Sequence, residues 1–203
     1  MNGRIEGVLL AAGESRRMGY PKPLLKIGDR TFVEQAAYAM LSAAAGLVVV
    51  LGAHAERIRP KVPADPRIRV VENPDYERGQ LSSLKVAIRS LAPGVDAILV
   101  HLADHPTVRP ETFKALVEAY RAPSGRPIMI ARHQGRRGHP VLFERSIFAE
   151  LLGAPDTAGA RFVVNADPER VGYIDTGDAG VVLDLDTPAD LAAAGLPPPP
   201  HDS

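Results

Sequence analysis

The sequence predicts an α/β protein in which a mostly parallel β-sheet lies between two layers of helices. Short apolar runs alternate along the chain with longer segments whose apolar residues recur at helical spacing. Several runs are hydrophobic throughout, which is typical of parallel strands that are buried on both faces. Hydrophobic residues make up 45% of the 203 residues, which suffices for one packed domain of this class.

The first half of the chain alternates strands and helices in order. An apolar run that starts at Gly7 predicts the first strand, and Thr31 with Glu34 has the spacing of a capping box, which predicts a first helix over 31–45. The further elements expected here are a strand at 47–51, a short helix at 54–61, a strand at 68–72, a helix at 80–91, a strand at 97–102 and a helix at 110–121.

The second half is less regular. We expect strands at 128–131 and 141–143 around a loop rich in Gly and Arg, helices at 145–152 and 161–166, strands at 172–175 and 181–185, and a last helix at 188–194. A single domain is therefore predicted over residues 1–196. The tail over residues 197–203 begins with four prolines and is expected to be extended or disordered.

Composition excludes several classes of protein. Lys plus Arg and Asp plus Glu both number 24, whereas proteins that bind nucleic acid usually carry a basic excess. The absence of cysteine excludes disulfides, thiolate nucleophiles and cysteine metal ligands. No apolar leader precedes the first strand, and no apolar run reaches the roughly 18 residues of a membrane helix. We expect a cytoplasmic protein that binds neither nucleic acid nor membranes.

The first strand leads into a loop of small residues that carries three cations. Backbone N–H groups can approach a ligand closely in such a loop, and Arg16, Arg17 and Lys22 supply charge for a polyphosphate. The spacing fits neither the Walker A pattern G-x-x-x-x-G-K-S/T nor the dinucleotide pattern G-x-G-x-x-G. The loop therefore predicts a phosphate site of another kind, with a solvated basic turn as the alternative.

Over residues 10–25 the chain reads L-A-A-G-x-S-x-R-M-G-x-P-K-x-L-L, which resembles the signature of the MobA-like nucleotidyltransferases. The pattern is most similar to the molybdenum cofactor cytidylyltransferase branch, and the resemblance extends from Val8 to Leu191. It implies a Rossmann-like, GT-A-like three-layer α/β/α fold with a mostly parallel central sheet. It also implies Mg²⁺-dependent transfer of a nucleoside monophosphate from an NTP to a phosphorylated acceptor, with release of pyrophosphate.

The resemblance implies roles for the loop and for a second segment, G-x-x-S-S-L at 79–84. Arg17 would hold the β- and γ-phosphates, and Lys22 would stabilise charge at the α-phosphate. The residues expected to contact the nucleotide are Leu10, Ala11, Ala12, Gly13, Ser15, Arg16, Gly79, Ser82 and Ser83. For either serine alone, simple helix capping is an equal alternative.

Two acidic positions are candidates for the metal site. Asp104 directly follows the strand at 97–102, where a carboxylate is costly unless it coordinates or caps something, and the family has its metal-binding aspartate at this point. The segment at 184–191 matches the family pattern D-x-D-T-P-x-D-L. Asp184 and Asp186 would share one face of a strand, and we favour Asp186 as the second Mg²⁺ ligand. Asp186 or Thr187 could equally cap the last helix.

The acceptor is expected near two further segments. G-x-x-G-H-P at 135–140 resembles a family motif placed near the acceptor, which makes Arg137 and His139 candidate acceptor ligands. Arg161 lies in G-A-R, where it would hold an acceptor phosphate. The G-D that usually precedes this motif in the family is replaced here by Thr157 and Ala158.

The predicted function is therefore the transfer of CMP from CTP to a molybdopterin-type cofactor by in-line attack without a covalent enzyme intermediate. CTP is favoured because Ala12 stands where the guanylyltransferases have glycine, and its methyl group narrows the base pocket. The alternatives are a guanylyltransferase, an NAD(P)H-dependent oxidoreductase related to this family, and a nucleotide-sensing module. A molybdoenzyme or another protein of the cofactor pathway is the partner that this resemblance implies.

Overall fold

The computed structural model describes residues 3–200. Its strands and α-helices are, in chain order, β1 (Arg4–Ala11), β2 (Lys26–Ile27), β3 (Arg30–Thr31), α1 (Phe32–Leu41), β4 (Gly46–Leu51), α2 (Ala55–Ile58), β5 (Ile68–Glu72), α3 (Gln80–Ser90), β6 (Val95–Leu102), α4 (Pro110–Arg121), β7 (Ile128–His133), β8 (Arg136–Glu144), α5 (Phe148–Gly153), α6 (Arg161–Ala166), β9 (Val171–Asp175) and α7 (Pro188–Ala193). Short 3₁₀ turns join several of them.

A seven-stranded sheet forms the centre, in the order β5-β4-β1-β6-β8-β7-β9. The pairs β1–β4, β1–β6, β4–β5 and β7–β9 are parallel, whereas β8 pairs antiparallel with both β6 and β7. The predicted mostly parallel sheet is thus confirmed. β2 and β3 form a separate small hairpin that was not predicted.

Helices cover both faces of the sheet. One core contains Leu9 and Val49 with residues of α1 and α4, and the other contains Val8 and Val48 with residues of α3, α5 and α6. Successive residues of the central strands therefore enter different cores, which explains why these strands are apolar throughout. The three-layer architecture predicted from the sequence is confirmed.

A third, smaller cluster joins distant parts of the chain. Met18 and Leu25 pack there with Phe32, Leu185 and Leu191, all of them buried. Met18 belongs to the cationic loop and Leu185 to the segment before α7. This packing holds the loop after β1 against the C-terminal segment, which brings their polar residues within reach of each other.

The predicted strand at 181–185 is wrong. Residues 179–182 form a 3₁₀ turn instead, because the Asp178 side chain accepts a hydrogen bond from the Gly180 amide at 3.0 Å. The buried carboxylate of Asp178 also accepts bonds from the Arg109 amide and the Thr112 hydroxyl, at 2.8 and 2.7 Å. A 3₁₀ turn that Asp178 holds against the start of α4 thus takes the place of the predicted β-strand. Asp184 and Asp186, which follow this turn, therefore do not share one face of a strand.

Other boundaries also differ from the prediction. The predicted Gly/Arg-rich loop is mostly strand, since β7 and β8 extend to a two-residue turn in which Gln134 and Gly135 have φ angles of 49° and 77°. The first helix ends at Leu41 rather than at residue 45. Residues 197–200 of the tail form no helix or strand, and residues 201–203 lie outside the described range. Within residues 3–200, no helix is long and apolar enough to cross a bilayer.

The capping box of α1 predicts a defined acid response. Thr31 N–H donates to Glu34 Oε2 at 2.7 Å, and Glu34 N–H donates to Thr31 Oγ1 at 3.4 Å. Burial raises the pKa of Glu34, but the bonds from Thr31 lower it more, so the net pKa lies below the ordinary 4.5. The stabilisation by this carboxylate is therefore present above pH 4.5 and lost as the pH falls through the lowered pKa.

We expect Glu34→Gln to flatten the decline of the free energy of unfolding between about pH 5 and pH 3, because glutamine does not titrate. Urea denaturation at several pH values measures this slope. Glu111→Gln, at an exposed position in the first turn of α4, is the control and should keep the wild-type slope. Equal slopes for Glu34→Gln and wild type would contradict the assignment.

Candidate active site

Two adjoining cavities open at the carboxyl ends of the parallel strands, where ligands bind in folds of this class. The first has a volume of about 360 Å³ and is lined by the loop after β1, the start of α3 and the turn after β6. The second has a volume of about 750 Å³ and lies between α3, β8 and α6. They share Leu10, Gly79 and Gln80, so the two cavities adjoin at these residues.

The loop after β1 is a closed turn that leaves space beside its backbone. Met18 and Gly19 amides donate to the Ser15 carbonyl at 3.0 and 3.2 Å, and the Lys22 amide donates to Ser15 Oγ at 3.0 Å. Ser15 itself has a φ of 57°. A Cβ atom on Gly13 would meet nothing within 4 Å, so a ligand can reach the loop there. Three internal hydrogen bonds thus close the loop, and Gly13 leaves room for a ligand at the edge of the first cavity.

Lys22 joins two carboxylates that are far apart in the sequence. Its Nζ donates to Asp104 Oδ2 at 2.7 Å and to Asp186 Oδ1 at 2.6 Å. Burial lowers the pKa of Lys22, but the charges and hydrogen bonds of Asp104 and Asp186 outweigh it and raise the net pKa. Burial likewise raises the pKa of Asp186, and Lys22 and Arg17 lower it further than that. Lys22 and Asp186 are therefore both charged at neutral pH.

The two carboxylates fit a hard divalent cation. Asp104 Oδ1 is buried and has no hydrogen-bond partner among residues 3–200. Within that range, no three His, Cys, Asp or Glu residues converge as a complete metal site. Mg²⁺ usually takes only one or two carboxylates and completes its shell with water and substrate phosphates. Asp104 and Asp186 match that donor set.

The two arginines of the loop differ in their surroundings. Arg17 donates to Asp186 Oδ2 at 2.6 Å, and its side chain remains 72% exposed. Arg16 is also exposed and pairs with Glu14 through Nε at 2.5 Å. Both arginines line the first cavity, but of the two only Arg17 bonds to a carboxylate that also binds Lys22, namely that of Asp186.

The segment at 79–84 meets the first cavity through fewer residues than predicted. Gly79 and Ser83 line it, whereas Ser82 lines neither cavity. The Ser82 hydroxyl donates to backbone carbonyls of Gly79 and Asp75, at 2.8 and 3.1 Å, so it stabilises the start of α3. Asn73, missed in the sequence, donates to both serine hydroxyls. Its position directly after β5 was the available signal.

The second cavity brings the predicted acceptor residues together. Arg137, His139 and Arg161 all line it together with Arg136, and Arg78 adds positive charge that was not predicted. Its floor is apolar and includes Leu81, Leu84, Val100, Ile130, Val141 and Phe143. Asp184 lines this cavity, whereas Asp186 lines the first, so the two acidic residues border different cavities.

A largely buried ion pair lies at one wall of the second cavity. Lys85 Nζ donates to Asp156 Oδ1 and to the Ala154 carbonyl, both at 2.6 Å, and Arg78 approaches Asp156 Oδ2 at 2.7 Å. The bond from Lys85 lowers the pKa of Asp156. The sequence analysis missed Lys85 and Asp156 because they lie 71 positions apart, and no local pattern links a lysine on α3 to an aspartate near residue 156.

Three histidines pack together, and two of them, His105 and His139, line the second cavity. The ring centroids of His105 and His139 are 5.3 Å apart, and His101 lies 6.2 and 6.4 Å from them. Burial and His105 lower the pKa of His139 to about 4, although Asp104 acts in the opposite direction. Burial also lowers the pKa of His101. His139 and His101 are thus neutral at physiological pH.

Comparison with known proteins agrees with this geometry. The model of the MobA-like NTP transferase domain matches residues 7–171. Nicotine blue oxidoreductase of Paenarthrobacter nicotinovorans is 35% identical over 193 residues, which cover 90% of this chain and 92% of that protein. Molybdenum cofactor cytidylyltransferase of Escherichia coli K12 is 25% identical over 190 residues, or 94% of this chain and 95% of that protein.

Solved structures share the fold. Rv0371c of Mycobacterium tuberculosis H37Rv superposes with a TM-score of 0.81 at 32% identity, covering 95% of this chain and 97% of that one. A structure of the same protein in complex with manganese has a TM-score of 0.77 at 30% identity, covering 94% and 97%.

Proposed function

The chain belongs to the MobA-like NTP transferase family, and from that premise we propose that it transfers CMP from CTP to a phosphorylated, molybdopterin-type acceptor. The observation that carries the proposal is the Lys22 ammonium group held between Asp104 and Asp186 at the edge of the first cavity. An arginine-lined second cavity adjoins it and would hold the acceptor.

The reaction needs positioning and charge neutralisation rather than a protein nucleophile. An acceptor phosphate oxygen attacks the α-phosphorus, the new P–O bond forms in line with the bond to pyrophosphate, and pyrophosphate leaves with that electron pair. Backbone N–H groups of the loop and Arg17 bind the β- and γ-phosphates. Lys22 leaves its carboxylate partners for the α-phosphate and stabilises the charge that develops there.

Asp104 and Asp186 are the residues that would hold Mg²⁺. When bound, the cation would neutralise triphosphate oxygens and the departing pyrophosphate. The buried Oδ1 atom of Asp104 supports this assignment, and so does the manganese complex of the similar protein Rv0371c.

The choice of CTP rests on Ala12 and on the relative from Escherichia coli. Ala12 is only 5% exposed and lines the first cavity, where its methyl group takes space that a purine would need. The related cytidylyltransferase matches nearly the whole chain. A guanylyltransferase is the variant of this proposal in which the cavity accepts the larger base. A protein of the molybdenum cofactor pathway would then receive the product.

An oxidoreductase is the second candidate function, since nicotine blue oxidoreductase is 35% identical over 90% of the chain. In that case the first cavity would hold the phosphates of a nicotinamide cofactor and the second a small organic substrate. A nicotinamide dinucleotide has no leaving pyrophosphate, so Lys22 and the two carboxylates would have no transferred group to act on.

Titration with CTP, GTP, ATP and NADPH, each with and without Mg²⁺, separates these functions. We expect CTP to bind most tightly, and only in the presence of Mg²⁺, because the carboxylates repel a bare triphosphate. Isothermal calorimetry measures the affinities. Preference for GTP would move the protein to guanylyl transfer, and binding of NADPH without any NTP would overturn the transferase proposal.

A further inference from the structure

We propose that His105 is a positioning residue that sets the separation of the Asp104 and Asp186 carboxylates. The inference rests on the proposed function in one respect, namely that these two carboxylates hold the divalent cation. It concerns a residue that directly follows Asp104, lines the second cavity and contacts the 3₁₀ turn at 179–182.

The backbone of His105 fixes the turn that carries Asp104. Its amide donates to the Leu102 carbonyl at 3.2 Å, which closes the turn at the end of β6. Its carbonyl accepts a hydrogen bond from Nε2 of His101 at 3.0 Å. His101 is 1% exposed, so this bond lies inside the core. The turn is therefore held by a side chain of the strand that precedes it.

The ring of His105 holds the segment that leads to Asp186. Nδ1 lies 3.3 Å from the Gly180 carbonyl, and because a carbonyl only accepts, Nδ1 carries the proton. Gly180 belongs to the 3₁₀ turn at 179–182, and the chain continues from there to Leu185. The Leu185 amide then donates to the Asp104 carbonyl at 3.0 Å.

Two hydrogen bonds thus join the Asp104 turn to the Asp186 segment, one from the His105 ring and one from the Leu185 amide. The segment has little freedom to adjust, because a Cβ on Gly180 would lie 2.8 Å from the backbone of Thr107. The outcome of this packing is that both carboxylates reach the same ammonium group, at 2.7 and 2.6 Å. A cation that replaces the ammonium group needs the same convergence.

His105 also borders the second cavity. The residue is 7% exposed, and its ring lines that cavity beside His139. A ligand in the second cavity would therefore touch the residue that aligns the carboxylates in the first.

The test compares three replacements of His105 by the binding of Mn²⁺ alone, followed by electron paramagnetic resonance. Asparagine keeps an N–H donor on the atom bonded to Cγ, as Nδ1 is, whereas glutamine moves the donor one bond outward and leucine removes it. We expect the dissociation constant for Mn²⁺ to rise between about 10-fold and 100-fold in His105→Leu and His105→Gln. In His105→Asn it should stay within about threefold of wild type.

Thr112→Val is the matched control. It removes the bond from Thr112 Oγ1 to Asp178, which caps the same 3₁₀ turn, without touching the His105 ring. Its Mn²⁺ affinity should stay within about twofold of wild type even where its melting temperature falls.

Three results would overturn the inference: wild-type affinity in His105→Leu, equal losses in the asparagine and leucine variants, or the same loss in Thr112→Val. Failure of the proposed function is a separate result. If wild type binds Mn²⁺ with the expected dependence on His105 but does not use CTP, the positioning role stands and the cytidylyl transfer does not.

Discussion

Replacement of Lys22 by methionine is expected to reduce kcat/KM for CMP transfer by about 10²-fold to 10³-fold, the usual effect of removing a donor that stabilises transition-state charge. The same variant should bind Mn²⁺ more tightly than wild type in the absence of nucleotide, by about tenfold. These opposite changes follow from one contact, since the ammonium group of Lys22 occupies the space between Asp104 and Asp186. Methionine has a similar length but no charge to compete with the cation.

Steady-state kinetics and Mn²⁺ binding on the same samples measure the two effects. Lys114→Met, at an exposed position on α4, is the matched control and should change neither quantity. Weaker Mn²⁺ binding in Lys22→Met, together with lost turnover, would indicate general damage to the site rather than loss of a competing cation.

Neutralising either carboxylate of the pair should weaken the response of the rate to Mg²⁺. We expect Asp104→Asn and Asp186→Asn each to lower kcat at saturating CTP by about 10²-fold or more, because the triphosphate charge is then poorly neutralised. Each variant should also need a higher Mg²⁺ concentration for half-maximal rate. Measuring the rate against Mg²⁺ concentration tests both expectations.

Asp184→Asn is the control for this pair, as Asp184 is exposed and lines the second cavity only. It should alter the KM for the acceptor and leave the Mg²⁺ dependence unchanged. A strong shift of the Mg²⁺ dependence in Asp184→Asn, with none in Asp186→Asn, would reverse the assignment of the second metal ligand.

The fold was predictable where the signals are local. Thr31 and Glu34 mark the start of α1 within four positions, and the run at 47–51 is apolar because β4 is buried on both faces. The segment at 181–185 was misleading because Val181 and Leu185 are fully buried, as strand residues would be, although the segment does not pair with the sheet. The segment forms a 3₁₀ turn because the Asp178 carboxylate accepts hydrogen bonds from residues 109 and 112. No local sequence pattern shows these two bonds.

The candidate site was predictable where a motif carries it. The loop after β1 and Asp104 belong to recognisable patterns, and both line the first cavity. The hydrogen bonds of Lys22 to Asp104 and Asp186 span 82 and 164 positions, so only the folded chain shows them. The buried contacts of His105 and Lys85 also could not be predicted from the sequence, because each depends on a partner in a turn that is distant along the chain.

The most direct measurement is the mass of the product formed from CTP and a molybdopterin acceptor in the presence of Mg²⁺. We expect the acceptor to gain one CMP unit for each pyrophosphate released, and Lys22→Met to give neither product. Pyrophosphate release without a modified acceptor, or oxidation of a reduced nicotinamide cofactor with no nucleotide transfer, would contradict nucleotidyl transfer at this site.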